Sequence, residues 1–255
     1  DAQESRGLGD VYKRQDMDRE VVADVFDRYE FMALPVVDSE ERLLGVITVD
    51  DALDVIEKET TEDFHIMAGV NPSESSYLQS SVFSLAKDRL IWLVVLLIAG
   101  MFVGGVIDNY QWILAQYLIL NSFIPMLTAA GGNAGIQATT LAVRNLSIGE
   151  ISFKEMGKVA LKEFKVGLIV GIIMGLTAML KVIIIDGAGL LIGTVIFFTM
   201  LGGILLAKVV GGIIPILADK VGLDPAVMAS SIITTLVDGV TLMIYFNIAR
   251  LILPL

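Results

Sequence analysis

Asp238 is the residue of this chain that most needs a chemical explanation. It stands inside the apolar run Pro225–Leu253, which holds no other acidic residue. A charge at mid-span costs roughly 2.5–3.5 kcal/mol on insertion scales, so such a residue faces water, an ion or a partner charge. Ser230, Ser231, Thr234 and Thr235 precede it, and positions 230, 234 and 238 fall along one helical face. Hydroxyls leading to a carboxylate suit the wall of a path for a hydrated cation. The alternative is a protonated Asp238 in a helix-packing hydrogen bond, with the hydroxyls serving packing alone. Lys181 and Lys208 are placed near the ends of their apolar runs. A passing cation is therefore the expected partner of Asp238.

A second constellation is Gly131-Gly132-Asn133-Ala134-Gly135-Ile136-Gln137. Adjacent glycines weaken a helix and free backbone carbonyls. Irregular backbone at membrane depth needs a protein-lined or watery cavity. Carbonyls beside an amide would make a cation filter. Close helix packing through small residues explains the same glycines without an ion.

The third is acidic. Asp50, Asp51, Asp54, Glu57, Glu59, Glu62 and Asp63 crowd around a single Lys58. Like charges on one helix repel, and a divalent cation would relieve them through carboxylate oxygens. A solvated acidic face is the plainer account. His65, the one histidine, is assigned no role.

The elements around these groups follow from composition and periodicity. The chain has 255 residues, 55% of them hydrophobic, and a mean hydropathy of +0.74, too apolar for a soluble domain. Its net charge of −11 disfavours nucleic acid as a partner. Zero cysteines exclude disulfides and thiolate sites, and one histidine excludes any two-histidine metal site. Hydrolytic constellations lack their parts, so no enzyme is expected. Residues 1–90 hold 21 acidic and nine basic residues, against eight and nine in the remainder. The pattern is an acidic front followed by an apolar body.

Five spans are expected, at about 90–107, 112–143, 166–185, 190–217 and 225–253. Arg144, Lys154, Lys158, Lys162 and Lys165 follow span two, and the turn after span one has no Lys or Arg. The positive-inside rule then puts the N-terminus in the cytoplasm of a multi-pass cell-membrane protein. In the front, Glu20–Tyr29 has helical spacing, Leu34–Val37 and Leu43–Thr48 alternate with a turn, and Asp50 opens a helix. Asp10–Gln15 match an in-frame translation of the end of a transposon adapter, so residues 1–15 are expected to be an artefact and are left out of the fold.

The order helix–strand–turn–strand–helix, with ALPVVD and LLGVITVDD, resembles a CBS motif over residues 16–63. In nucleotide-binding CBS modules a Thr-x-x-Asp segment contacts ribose. Thr48 and Asp51 have that spacing, which makes ATP a cofactor expectation; helix capping fits equally.

GGNAGIQATTLAVRNL at Gly131–Leu146, GLDPAVMASSIITTLVDGVTLMIYFNIAR at Gly222–Arg250 and ETTEDFH at Glu59–His65 resemble the MgtE-type magnesium transporters and channels. The resemblance covers residues 16–255. It implies a mainly α fold, in which a partial α/β CBS motif and a connecting plug helix (residues 64–88) precede a five-helix transmembrane domain. It implies a homodimer in membrane lipid, with Mg2+ as cargo and regulator. Asp238 becomes the pore carboxylate, with Thr234, Gly132, Asn133, Ser230 and Thr140 along the path. Glu20, Glu30, Asp51, Asp54, Glu59, Glu62 and Asp63 become the cation-sensing set. The family's N domain and first CBS motif have no counterpart here, and Ile136 and Ser230 stand where some members have Asn. A secondary transporter of another cation is the rival function.

Overall fold

The computed structural model describes residues 13–14, 17, 19–72, 77–228 and 231–254. It divides into two compact units, up to Phe64 and from His65 onward.

The first unit is a small α/β layer. Strand β1 (Lys13–Arg14) pairs parallel with β2 (Ala33–Val37), and β2 pairs antiparallel with β3 (Leu43–Thr48). Asp38 makes the hairpin turn, its Oδ1 accepting from the backbone N–H of Glu40 at 2.8 Å and of Arg42 at 2.9 Å. Helix α1 (Arg19–Tyr29) supplies Val22 and Phe26 to the core, which they form with Leu34 and with Ala52 of α2 (Val49–Met67). The expected helix and strands are all present. Of residues 1–15, only Lys13 and Arg14 are described, and they join the sheet that the expectation had closed without them. Strand pairing uses backbone groups that every residue carries, so side-chain periodicity is no guide to such a short edge strand.

The second unit is a helical bundle. Four helices of the described residues are long and apolar enough to cross a membrane, within Val82–Asn109, Phe153–Ile184, Gly189–Lys220 and Ile232–Ile252. They belong to α3 (Val82–Asn109), α6 (Met156–Ile184), α7 (Gly189–Lys220) and α9 (Ser231–Ile252). Helix α6 packs along α7, α5 (Ile124–Ser147) lies against both α7 and α9, and α3 leans on α9. Val106 is the only residue of α3 among its described residues to be buried, so this helix turns an almost wholly apolar surface outward.

Two expectations change. The run 112–143 is not one span: α4 (Gln111–Gln116) and a 3-10 helix (Leu118–Phe123) precede α5. Pro125 lies in the first turn of α5, where its missing N–H costs nothing, and so marks a helix start. Helix α5 falls outside the four apolar helices because its sequence is small and polar, as its place inside the bundle requires. Among the described residues, the connecting helix expected within residues 64–88 is also not a separate element. Its first residues, through Met67, close α2, and Val82 onward is the start of α3, where Ser81 Oγ accepts from the Ser84 N–H at 3.2 Å. Nothing interrupts α3 between that cap and the membrane run.

The C-terminal half of α9 is clasped by hydrogen bonds. Tyr245 donates its hydroxyl to the Leu120 carbonyl at 3.0 Å, and Tyr117 donates to the Pro254 carbonyl at 3.0 Å. These bonds hold α9 against the irregular segment ahead of α5, and so fix the height at which α9 carries Asp238.

Candidate functional site

The site lies where α5 crosses α9. Helix α9 presents Thr234, Val237, Asp238 and Thr241 to α5, an i, i+3, i+4, i+7 stripe. Helix α5 answers with Gly131 and Gly132. A methyl group at Gly132 would lie 2.6 Å from Thr234 Cγ2 and 3.4 Å from Asp238 Oδ1. One at Gly131 would lie 2.9 Å from Thr241 Oγ1 and 3.2 Å from Val237 Cγ1. Carbon atoms do not approach at 2.6 Å, so the crossing requires glycine at position 132.

This corrects one expectation about the glycines. Helix α5 runs unbroken from Ile124 to Ser147, so Gly131 and Gly132 do not interrupt it. They bring α9 close, which is the packing account, and thereby set a carboxylate against helical backbone. Asp238 Oδ1 is buried, and no group among the described residues hydrogen-bonds it. Thr241 Oγ1 is in the same position. By contrast, the buried hydroxyls of Thr139 and Thr199 bond the carbonyls four residues back, at 2.9 and 2.8 Å. An unsatisfied buried polar atom costs roughly 1–3 kcal/mol. Two of them three residues apart on one helix mark the place where this bundle is not built for stability alone.

A polar face of α5 continues from the crossing. Asn133 and Gln137 are exposed and Thr140 is partly exposed, at helical spacing, while Ala134, Gly135, Ala138 and Thr139 are buried. Ile136 shares the exposed face. Amide side chains do not stand uncompensated against hydrocarbon, so this face meets water or polar protein. Gln137 accepts a hydrogen bond from Lys208 Nζ at 2.9 Å. Lys208 is not near the end of its helix as expected: α7 continues to Lys220, and the residue is 5% exposed. The sequence showed only that its apolar run stopped at Leu217. Lys181 does lie in the last turn of α6, paired with Asp186 at 2.7 Å.

Of the path residues expected from the sequence, the structure brings together Asp238, Thr234 and Gly132 at the crossing, and places Asn133 and Thr140 on the polar face of the same helix. Ser230 lies outside the described residues, as does the side chain of Glu20. In the front, Asp51, Asp54, Glu59, Glu62 and Asp63 all ride on α2, and Glu30 follows α1 at a φ of +52°. Among the described residues, no three acidic or histidine groups converge to hold an ion. Thr48 and Asp51 bond each other: the Thr48 hydroxyl and backbone N–H both donate to Asp51 Oδ2, at 2.8 and 3.2 Å. That is the geometry of a helix cap. The side-chain bond first, then the backbone bond, holds the Asp51 carboxyl below its usual range.

Sequence reasoning missed Thr241, set Lys208 aside as too near the end of its run, and gave Gln137 no role beyond its place in the glycine-rich motif; the pairings come from the tertiary structure. Each looks ordinary in its own helix, and each is singled out by a neighbour on another.

An apolar helical bundle with long membrane-length helices and, among its described residues, a buried carboxylate oxygen without a partner has the character of a membrane domain. Comparison with known proteins agrees. Residues 124–248 match the model of the MgtE family, described as a divalent cation transporter, and residues 11–58 match that of the CBS domain. The chain is 40% identical over 234 residues to the magnesium transporter MgtE of Enterococcus faecalis, a match covering 92% of this chain and 51% of that protein. It is 37% identical over 243 residues to the magnesium transporter MgtE of Thermus thermophilus, covering 95% and 54%. The protein of that name from Bacillus subtilis is 34% identical over 232 residues, covering 91% and 51%. The chain carries an MgtE-family membrane domain together with a CBS domain. It spans about half the length of the curated relatives it matches.

Proposed function

We propose that this chain conducts magnesium across a membrane through a path lined by Asp238. The observation that carries this reading is the buried, unpartnered Asp238 Oδ1 set against Gly132 inside an apolar bundle. The names of the relatives supply the ion. Magnesium demands near-octahedral oxygen geometry and sheds its water reluctantly. A carboxylate that meets the ion through its water shell avoids that loss. It supplies charge while leaving the ion free to move on. The relatives' names as transporters support transport rather than catalysis.

A homodimer extends the reading. The exposed amides of Asn133 and Gln137 need a polar environment, and a second copy facing the first across a water-filled path would provide it. Two Asp238 carboxylates would then share one hydrated ion. The acidic helix α2 would sense cytoplasmic magnesium, with repulsion among Asp51, Asp54, Glu59, Glu62 and Asp63 relieved when the ion is abundant. Under this scheme the N-terminal unit is cytoplasmic, and magnesium binding there closes the path. A nucleotide at Thr48 and Asp51 is not part of the proposal, because their oxygens are engaged in the cap.

The test is magnesium flux into proteoliposomes holding the chain, compared with Asp238→Ala and Asp238→Glu. Flux lost in the first and retained in part in the second is expected. Equal flux in all three would overturn the reading. A flux that collapses with a proton or sodium gradient would favour a secondary transporter instead.

A further inference from the structure

Lys208 is a buried cation that the proposed path does not explain. Its stem packs against α6, where a methyl group at Gly167 would lie 3.3 Å from Lys208 Cβ. Its ammonium reaches across to α5 and donates to Gln137 Oε1 at 2.9 Å. Among the described residues, no carboxylate forms an ion pair with it. The nearest acidic side chain along α6 is Glu163, one turn before Gly167, and it packs instead on Gly212, where a methyl group would lie 2.9 Å from Glu163 Cγ. An unneutralised ammonium inside an apolar bundle is costly and marks function by default.

The chemistry of the pair fixes its orientation. An ammonium only donates, so the Gln137 oxygen is consumed by Lys208, and the amide turns its N–H groups to the exposed face. N–H groups repel a cation. At this level, then, the polar face of α5 is not a further binding site. Gln137 stands five residues beyond Gly132, about 7.5 Å along the helix axis. The ammonium of α7 is therefore held at a residue of α5 that stands one to two turns beyond the glycine facing Asp238.

We propose that Lys208, held on Gln137, is a fixed charge in the wall of the cation path that weakens binding at Asp238 and so sets how fast a divalent cation leaves. This rests on Asp238 being the cation site. A site that only attracts would trap a doubly charged ion; conduction needs binding weak enough to release it. Coulomb energy scales with the charge of the mobile ion, so the ammonium opposes a divalent cation twice as strongly as a monovalent one. Lys208 is a positioning and specificity residue here, and it need not touch the ion.

The test is the magnesium dependence of flux in proteoliposomes for the chain, Lys208→Gln, Lys208→Arg and Gln137→Glu. Lys208→Gln keeps a donor for Gln137 but removes the charge. Its half-saturating magnesium concentration is expected to fall by roughly tenfold or more, with a lower maximal flux. Block by a monovalent cation should strengthen by only about the square root of that factor. Lys208→Arg keeps the charge and should restore the original values. Gln137→Glu leaves α7 untouched and neutralises the ammonium in place, so it should reproduce Lys208→Gln even if the latter folds poorly. Unchanged saturation in both Lys208→Gln and Gln137→Glu, or equal effects on divalent and monovalent ions, would overturn the inference. Persistence of flux in Asp238→Ala would instead sink the site on which it rests, so the two failures are distinguishable.

Discussion

Gly132 and Asp238 occupy opposite sides of one helix crossing, with room for a hydrogen but not for a methyl group between Gly132 and its neighbours on α9. The tightest neighbour is the methyl of Thr234, 2.6 Å from where a Cβ at Gly132 would stand. Gly132→Ala should therefore push α9 away and destabilise the bundle, by about 1–3 kcal/mol if the crossing partly relaxes. Thr234→Ser removes the clashing carbon. The double variant should recover much of the loss, with a coupling of roughly 0.5–3 kcal/mol. Thermal unfolding of the four proteins in detergent measures that cycle. Additive losses would mean that the crossing does not close on Thr234.

Two other glycines should behave oppositely. A methyl group at Gly211 of α7 would lie 2.6 Å from the backbone oxygen of Gly135 on α5, and 2.9 Å from Thr139 Oγ1. Backbone cannot swing aside as a side chain can, so Gly211→Ala should lower the melting temperature clearly. Gly104 of α3 meets nothing within 4 Å, and Gly104→Ala should be neutral or stabilising by about 0.5–1 kcal/mol. A similar response from both would contradict the packing of α5 on α7.

In the C-terminal half of α9, Tyr245 is fully buried and donates to the Leu120 carbonyl at 3.0 Å. Tyr245→Phe keeps the ring and orphans that carbonyl. A loss of about 1–3 kcal/mol is expected from the unsatisfied acceptor. Unfolding of the variant beside the parent chain is the measurement, and no change would show that the carbonyl finds another donor.

The front offers a prediction in pH. Two bonds from Thr48 hold the Asp51 carboxyl below its usual value of 3.8, the side-chain bond being the larger cause. A depressed carboxylate stabilises the fold above its unfolded pKa and loses that contribution as pH falls through its folded value. Thr48→Val removes the hydroxyl bond alone. The Asp51 pKa should rise toward 3.8, and the variant should be less stable than the parent at neutral pH, with the difference closing as pH falls through the carboxyl range. Carboxyl-carbon NMR titration of Asp51 reads this directly, and an unmoved titration would deny Thr48 its part.

Much of this architecture is legible in the chain because its signals are local. Val21, Val22, Val25 and Phe26 repeat at helical spacing, and α1 spans them. Leu43–Thr48 is a strand as expected, and the apolar runs around 166–185 and 190–217 contain the helices α6 and α7. The run 112–143 misled because hydropathy does not separate a continuous helix from a short helix, a 3-10 turn and a second helix of the same composition. Gly131 and Gly132 misled in another way. Glycine lowers helix propensity, but tertiary contacts decide whether the helix breaks, and here a close neighbour holds it whole.

Sequence by itself determined that Asp238 stands alone in an apolar run, that hydroxyls share its face and that the acidic charge gathers at the front. Those follow from composition and from the 3.6-residue period, which need no partner helix. Only the tertiary structure decided that Asp238 Oδ1 has no donor, that Gly132 is there to admit α9 and that Lys208 is buried on Gln137. Each of these is a distance between residues far apart in the chain. Such distances are fixed by how the helices pack, and packing is a property of the bundle as a whole rather than of any one helix.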